Sequence, residues 1–266
     1  MVKIVVLNDD RCLNKNLYSS HGLSLYLECD KHKYLFDVGQ DENFIKNSKI
    51  LNIDLQSIDS IILSHGHYDH SEGLKYLSER YNLICHPDCF IWRKSKRTEK
   101  YNGFPFNYEE AHNKFNILKT SSPYFIDERI MFLGQIERKN SFECVKFPSI
   151  IKDGTDDIAL DDTGIAIKTD NGLIVISGCG HSGICNTIEY AKKLTNEDNI
   201  LAVIGGFHLK EIDNQTIQTV NYFKQNSVKN IYLGHCTSDI VCEYFKEQLM
   251  NQSNVAMLSV GMELLF

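Results

Sequence analysis

Ile61-Ile62-Leu63-Ser64-His65-Gly66-His67-Tyr68-Asp69-His70 runs an apolar segment into four side chains able to bind a transition metal. Imidazole and carboxylate are the ligands that borderline ions such as Zn²⁺, Fe²⁺ and Mn²⁺ prefer. His65 and His67 are two apart on an extended strand end, so they point the same way. Asp69 and His70 fall where the chain turns into the next element and can aim at a second point nearby. One short loop can therefore hold two metals side by side. A polar loop that merely contains histidines is the bland alternative. The strand before the motif, and the helix-like Ser71-Glu72-Gly73-Leu74 after it, supply the context a motif needs.

The chain has 266 residues, of which 42% are hydrophobic and 24% charged, with a net charge of -7. That is ordinary for a soluble globular protein and enough to bury a substantial core, so one domain over 1–266 is expected. No long block of one charge sign argues for a nucleic-acid partner. No apolar stretch approaches membrane-spanning length, and Met1-Val2-Lys3-Ile4-Val5-Val6-Leu7 reads straight into a strand without a signal peptide's cleavage region. Nine cysteines, an odd number with no Cys-x-x-Cys pair, read as reduced thiols in a cytoplasmic protein.

Strand-like runs recur at 2–7, 23–28, 34–37, 60–63, 83–86, 130–134, 164–168, 173–177, 201–204, 230–233 and 255–260. Asn171-Gly172 marks a two-residue hairpin turn with positive φ available at both positions. Apolar residues three and four apart predict helices over 74–81, 184–194, 217–223 and 240–249, each after a strand. Strands alternating with helices, plus extra hairpins, predict an α/β protein of two mixed sheets packed face to face with helices outside. Between about 90 and 124 the pattern lapses into a basic and aromatic stretch that includes Trp92, Arg93, Lys94, Arg97 and Tyr101. Such an insertion is either functional, as a lid, or disordered.

Metals held by one loop would be poorly enclosed, and the sequence offers further ligands three times. The apolar run 173–177 breaks through Gly178-Cys179-Gly180 into His181; Ala202-Val203-Ile204 breaks through Gly205-Gly206-Phe207 into His208; and Ile231-Tyr232-Leu233 breaks through Gly234 into His235. Glycine before the polar residue lets the backbone bend sharply. Binding residues of open sheets gather at the carboxyl ends of strands, so the three histidines are expected on one rim. Any one alone reads equally as a satisfied structural histidine.

The His-x-His-x-Asp-His motif, followed by His181 and His235, resembles the metallo-β-lactamase-fold superfamily of metal-dependent hydrolases across nearly the whole chain. Phe36-Asp37-Val38-Gly39 resembles its early strand-end element, whose aspartate supports the metal loop from behind. His21-Gly22-Leu23-Ser24, Gly178-Cys179-Gly180-His181-Ser182-Gly183, Gly205-Gly206-Phe207-His208 and His235-Cys236-Thr237 are similar to one subfamily. It includes archaeal proteins assigned as dihydropterin–ribofuranosylaminobenzene phosphate synthases. The resemblance implies a four-layer αββα sandwich and two divalent transition metals, zinc first and iron or manganese as alternatives. It implies one metal on His65, His67 and His181, and the second on Asp69, His70 and His235. The superfamily's bridging aspartate is absent, because the strand before it runs here into Gly178-Cys179. Cys179 is either a thiolate ligand or a small buried cysteine supporting the site.

A metal here implies hydrolysis of an anionic, phosphorylated small molecule by activated water, with Asp69 as base or orienting group. Two alternatives stay open. One is a transferase joining a dihydropterin pyrophosphate to an arylamine; the other is a metal-containing ligand sensor without enzymatic function. His208 reads as a substrate or proton-transfer residue, or as a structural hydrogen bond. His86 faces the same rim or is structural. Arg93, Lys94 or Arg97 either meets substrate phosphate or belongs to a solvated face. Cys236 beside His235 hints at a nucleophilic thiol, but sequence neighbours point in different directions.

Overall fold

The computed structural model describes residues 1–266. Its first strands are β1 (Val2–Asn8), β2 (Ser24–Cys29), β3 (His32–Phe36), β4 (Ser60–Ile62), β5 (Asn82–Cys85), β6 (Arg93–Ser95) and β7 (Asn116–Lys119). Among them lie helices α1 (Asn43–Ile50), α2 (Tyr68–Ser71) and α3 (Tyr108–Lys114). Next come β8 (Tyr124–Phe125), β9 (Ile130–Phe132), β10 (Ser149–Ile151), β11 (Gly164–Thr169) and β12 (Gly172–Ser177). The remainder is α4 (Ile184–Thr195), β13 (Ile200–Gly205), α5 (Asn214–Gln225), β14 (Asn230–Leu233), α6 (Asp239–Leu249), β15 (Asn254–Met257) and β16 (Glu263–Leu265). No helix is long and apolar enough to cross a membrane.

The chain divides into two compact units, each with its own mixed sheet. The first comprises Met1–Ser121, Lys146–Asp161 and Ser259–Phe266. Its seven strands run β16-β1-β2-β3-β4-β5-β7. Strands β3, β4, β5 and β7 are parallel neighbours, and the other pairs are antiparallel. Leu35, Phe44, Ile61, Leu63, Leu74, Leu83, Phe104 and Phe115 fill its core. Each such side chain contributes roughly 1.5–3 kcal/mol by leaving water.

The second unit comprises Ser122–Val145 and Asp162–Leu258. Its sheet runs β15-β14-β13-β12-β11-β9-β8, with β12 to β15 parallel. All six residues of β12 are buried, as a parallel strand covered on both faces requires. Helices α4 and α6 bury Ile184, Ile188 and Ala191, and Val241, Phe245 and Leu249, at the three-to-four-residue spacing of one helix face. The expected α/β class with two large mixed sheets is therefore what the chain forms.

Several local expectations are corrected. The helix expected over 74–81 is only a 3₁₀ turn, Glu72–Tyr76, and residue 77 is already extended. The hairpin after β11 turns one residue earlier than Asn171-Gly172. Thr169 pairs with Gly172, and of the two residues only Gly172 has positive φ. Residues 90–121 are built into the first unit. α3 is closed by a reciprocal cap between Asn107 and Glu110, and β7 extends the sheet beside β5. Phe104, Ala111 and Phe115 belong to the core of this unit.

Candidate metal centre

In the first unit, parallel pairing aligns three strand ends. Phe36 of β3 stands opposite Ile62 of β4, and Ile62 opposite Ile84 of β5. Asp37, the Ser64–His70 loop and His86 therefore emerge from one edge of the sheet. Asp37 has φ 56 and donates its N–H to Ile62 O. Its carboxylate is fully buried and takes three bonds. Oδ1 accepts Ser64 N–H at 2.8 Å, and Oδ2 accepts Ser64 Oγ–H at 2.7 Å and pairs with His70 Nδ1 at 2.6 Å. A carboxylate on Nδ1 fixes the histidine tautomer and leaves Nε2 as the donor nitrogen.

Two further histidines line the same loop. His65 Nδ1 lies 2.8 Å from Ser64 Oγ, and its Nε2 lies 3.0 Å from His67 Nδ1. A tetrahedral ion with metal–nitrogen bonds of about 2.0–2.1 Å holds two nitrogens about 3.3 Å apart, so this pair fits one ion. His67 Nε2 faces Asp157 Oδ2 at 3.6 Å. Asp69 and His70 likewise offer ligand atoms within 4.8 Å of each other, and both are buried. Each histidine thus turns one nitrogen toward a hydroxyl or carboxylate and the other toward its neighbours, which is how metal-binding imidazoles are braced.

Asp157 and Asp161 had no sequence signal, because they lie some ninety residues from the loop they support. Asp161 Oδ2 accepts Gly66 N–H at 2.7 Å. Arg93 joins both carboxylates: Nε donates to Asp157 at 2.7 Å and Nη2 to Asp161. Burial pushes the Asp157 carboxyl up, but the His67 ring facing it and the Arg93 charge outweigh it and hold it well below the usual carboxylate range. Gly66 is compulsory on steric grounds, since a Cβ there would stand 2.1 Å from Cys89 O and 2.7 Å from Arg93 Nη1.

The sequence reads Arg93 as either a contact to substrate phosphate or part of a solvated face. The structure instead buries it, 1% exposed, with its guanidinium already bonded to two carboxylates. His86 is also buried. Its Nδ1 caps the turn at Asp88 N–H, and burial lowers its pKa despite Asp161 and Asp88 nearby. His86 Nε2 has no hydrogen-bond partner.

In the second unit the register again does the aligning. Ser177, Gly205 and Leu233 stand on one rung of β12, β13 and β14. The loops beyond that rung carry Cys179 and His181, then His208, then His235 and Cys236. The three strand-end histidines expected on one rim are thus on one edge of this sheet. His181 and His208 rings stack at an angle, centroids 4.5 Å apart. His208, at φ 52, donates its N–H to Cys236 Sγ and keeps Nδ1 buried without a hydrogen bond. Cys179, His208 and Cys236 offer ligand atoms within 4.8 Å of one another, and so do Cys179 and His235. Burial alone would raise the Cys236 thiol; its bonds to Cys179 and His208 and the nearby histidines hold it well below its ordinary value.

Two mixed sheets whose parallel strand ends carry braced histidines, carboxylates and a thiol define an α/β protein with a donor set suited to divalent transition metals. The chain matches the Metallo-beta-lactamase superfamily over residues 20–194. It is 34% identical to the 7,8-dihydropterin-6-methyl-4-(beta-D-ribofuranosyl)-aminobenzene-5'-phosphate synthase of Methanocaldococcus jannaschii, over 92% of either chain. It is 36% identical to the uncharacterized protein MJ0448 of the same archaeon, over 89% of this chain and 90% of that one. Among solved structures, Tm1679, described as a metal-dependent hydrolase of the beta-lactamase superfamily, matches with a TM-score of 0.88 at 27% identity. That match covers 100% of this chain and 99% of the other. The chain belongs to the metallo-beta-lactamase superfamily. It is an enzyme, a hydrolase or a transferase.

Proposed function

We propose that this protein is a metal-dependent hydrolase acting on an anionic, phosphorylated small molecule in the cytoplasm. The observation that carries the reading is the bracing of His65 and His70 by Ser64 and Asp37, with His67 Nδ1 3.0 Å from His65 Nε2, within a superfamily member. His65, His67 and His181 are assigned to one ion, and Asp69, His70 and His235 to the other. Cys179, whose donor lies within 4.8 Å of that of His235, takes the place of the family's aspartate as a thiolate. Zinc suits this mixed nitrogen, oxygen and sulfur set best.

A bound metal would supply Lewis-acid polarisation and water activation at neutral pH. Asp69 orients the attacking water and takes its proton. His208, whose buried Nδ1 has no hydrogen bond in the second unit, contacts substrate or passes a proton to the leaving group. Asp37, Asp157 and Arg93 hold the loop and stay out of the chemistry. The nine cysteines are all free thiols, which agrees with a reducing compartment.

The relative named as a 7,8-dihydropterin-6-methyl-4-(beta-D-ribofuranosyl)-aminobenzene-5'-phosphate synthase favours a second reading, a transferase joining a dihydropterin pyrophosphate to an arylamine. The named synthase relative is an enzyme, which counts against the ligand-sensing alternative. Metal analysis, followed by assay of the zinc-loaded protein against phosphodiesters, thioesters, lactams and the pterin pyrophosphate with an arylamine, separates these readings. Release of phosphate or alcohol without the amine supports hydrolysis, and amine-dependent pyrophosphate release supports transfer. A wild-type protein that binds no transition metal refutes both.

A further inference from the structure

His21 has no role in the chemistry described so far, yet it touches the Asp69 carboxylate. Its Nδ1 lies 2.9 Å from Asp10 Oδ2, and its Nε2 lies 3.3 Å from Asp69 Oδ2. The Asp69 side chain is 11% exposed, against 34% for Asp10 and 44% for His21. The three groups therefore run from the surface to a buried carboxylate.

The segment carrying His21 is fastened at several points. The second oxygen of Asp10 accepts Gly22 N–H at 3.1 Å. Asn8 Nδ2 donates to the carbonyls of Ser20 and Gly22 at 3.0 and 2.9 Å. Gly22 has φ +118, and a Cβ on it would stand 1.9 Å from the Asp69 carbonyl oxygen. Only glycine lets this loop lie against the backbone of the metal motif. A solvent-exposed histidine–aspartate pair adds little by itself and would need no such close approach.

We infer that His21, backed by Asp10, is a positioning residue of the metal centre. It holds one oxygen of Asp69 and so fixes the rotation of that carboxylate, which is otherwise broad. The role rests on the reading of Asp69 as a metal ligand. Ligating carboxylates are themselves hydrogen-bonded, and removing such a partner lowers metal affinity about 10–100-fold.

The test loads the full-length protein with zinc and measures stoichiometry and affinity by competition with a chromophoric chelator. Wild type is compared with Asp69→Ala, His21→Ala, His21→Gln and Asp10→Asn. His21→Ala is expected to hold one of two zinc ions about 10–100-fold more weakly, with the other unchanged. His21→Gln keeps an N–H donor and is expected to recover most of the loss; Asp10→Asn gives a smaller loss than His21→Ala. Wild-type zinc affinities in His21→Ala would overturn the inference, as would a lower melting temperature without a change in affinity. A His21→Gln variant no better than His21→Ala would overturn it as well. If wild type binds no zinc, or Asp69→Ala binds both ions normally, the metal reading of Asp69 falls and the inference with it. Normal controls with an unchanged His21→Ala overturn the inference alone.

Discussion

Replacing Arg93 by leucine tests whether the metal loop is held from behind by a buried charge cluster. Leucine fits an apolar site but leaves Asp157 and Asp161, 6% and 0% exposed, without their shared cation. Removing one partner of a buried ionic cluster costs about 3–5 kcal/mol, because the remaining charge stays buried. At roughly 2–4 °C per kcal/mol for a chain of this size, the metal-free variant should melt about 6–20 °C lower at pH 8.

The pH dependence has a definite sign. In the wild type the Asp157 carboxyl is held low, so its contribution is present above the unfolded carboxylate value and fades as pH falls through the lower folded value. Without Arg93, burial has less to oppose it and the Asp157 carboxyl moves up. Protonation then favours the folded variant, and the deficit should narrow as pH is lowered from 8 to 5. Thermal unfolding of both proteins, followed by circular dichroism across that range, measures the difference. A deficit below about 1 kcal/mol would show an exposed, weakly coupled cluster and refute the argument. A deficit that widens toward pH 5 would refute the assigned charge balance.

Asp37→Asn keeps the shape but weakens the carboxylate's hold on His70 Nδ1, and zinc affinity should fall about 10–100-fold by chelator competition. His67→Ala should lose bound metal outright, read by elemental analysis. Asp69→Ala should lose turnover of any substrate the wild type converts, with its fold intact by circular dichroism. Gly66→Ala drives a methyl to 2.1 Å from Cys89 O, so a melting temperature lowered by several degrees and reduced metal content are expected. An unchanged Gly66→Ala would mean that the loop gives way freely.

The site's legibility in the sequence varied residue by residue. His65 to His70 announce themselves because four donors fall within six positions after an apolar strand. His181, His208 and His235 were visible because each follows a buried-type strand and glycine. Asp157 and Asp161 were invisible, since they act through bonds formed across some ninety residues and stand in a segment without periodicity. Arg93 misled for a related reason: a basic run reads as surface until a fold supplies buried carboxylates to meet it. The 3₁₀ turn at Glu72–Tyr76 also defeated its pattern, because apolar spacing alone does not show where a short helix stops.

The sequence alone determined the α/β class, the candidate ligands and the strand ends that carry them. Local periodicity and residue chemistry are properties of short segments. Only tertiary structure decided which nitrogen of each histidine is braced, and that a distant Asp157–Arg93–Asp161 cluster supports His67 and Gly66. Only tertiary structure also showed that a glycine brings His21 against Asp69. Those facts depend on parallel strand register and on contacts between segments far apart in the chain, which no local pattern encodes.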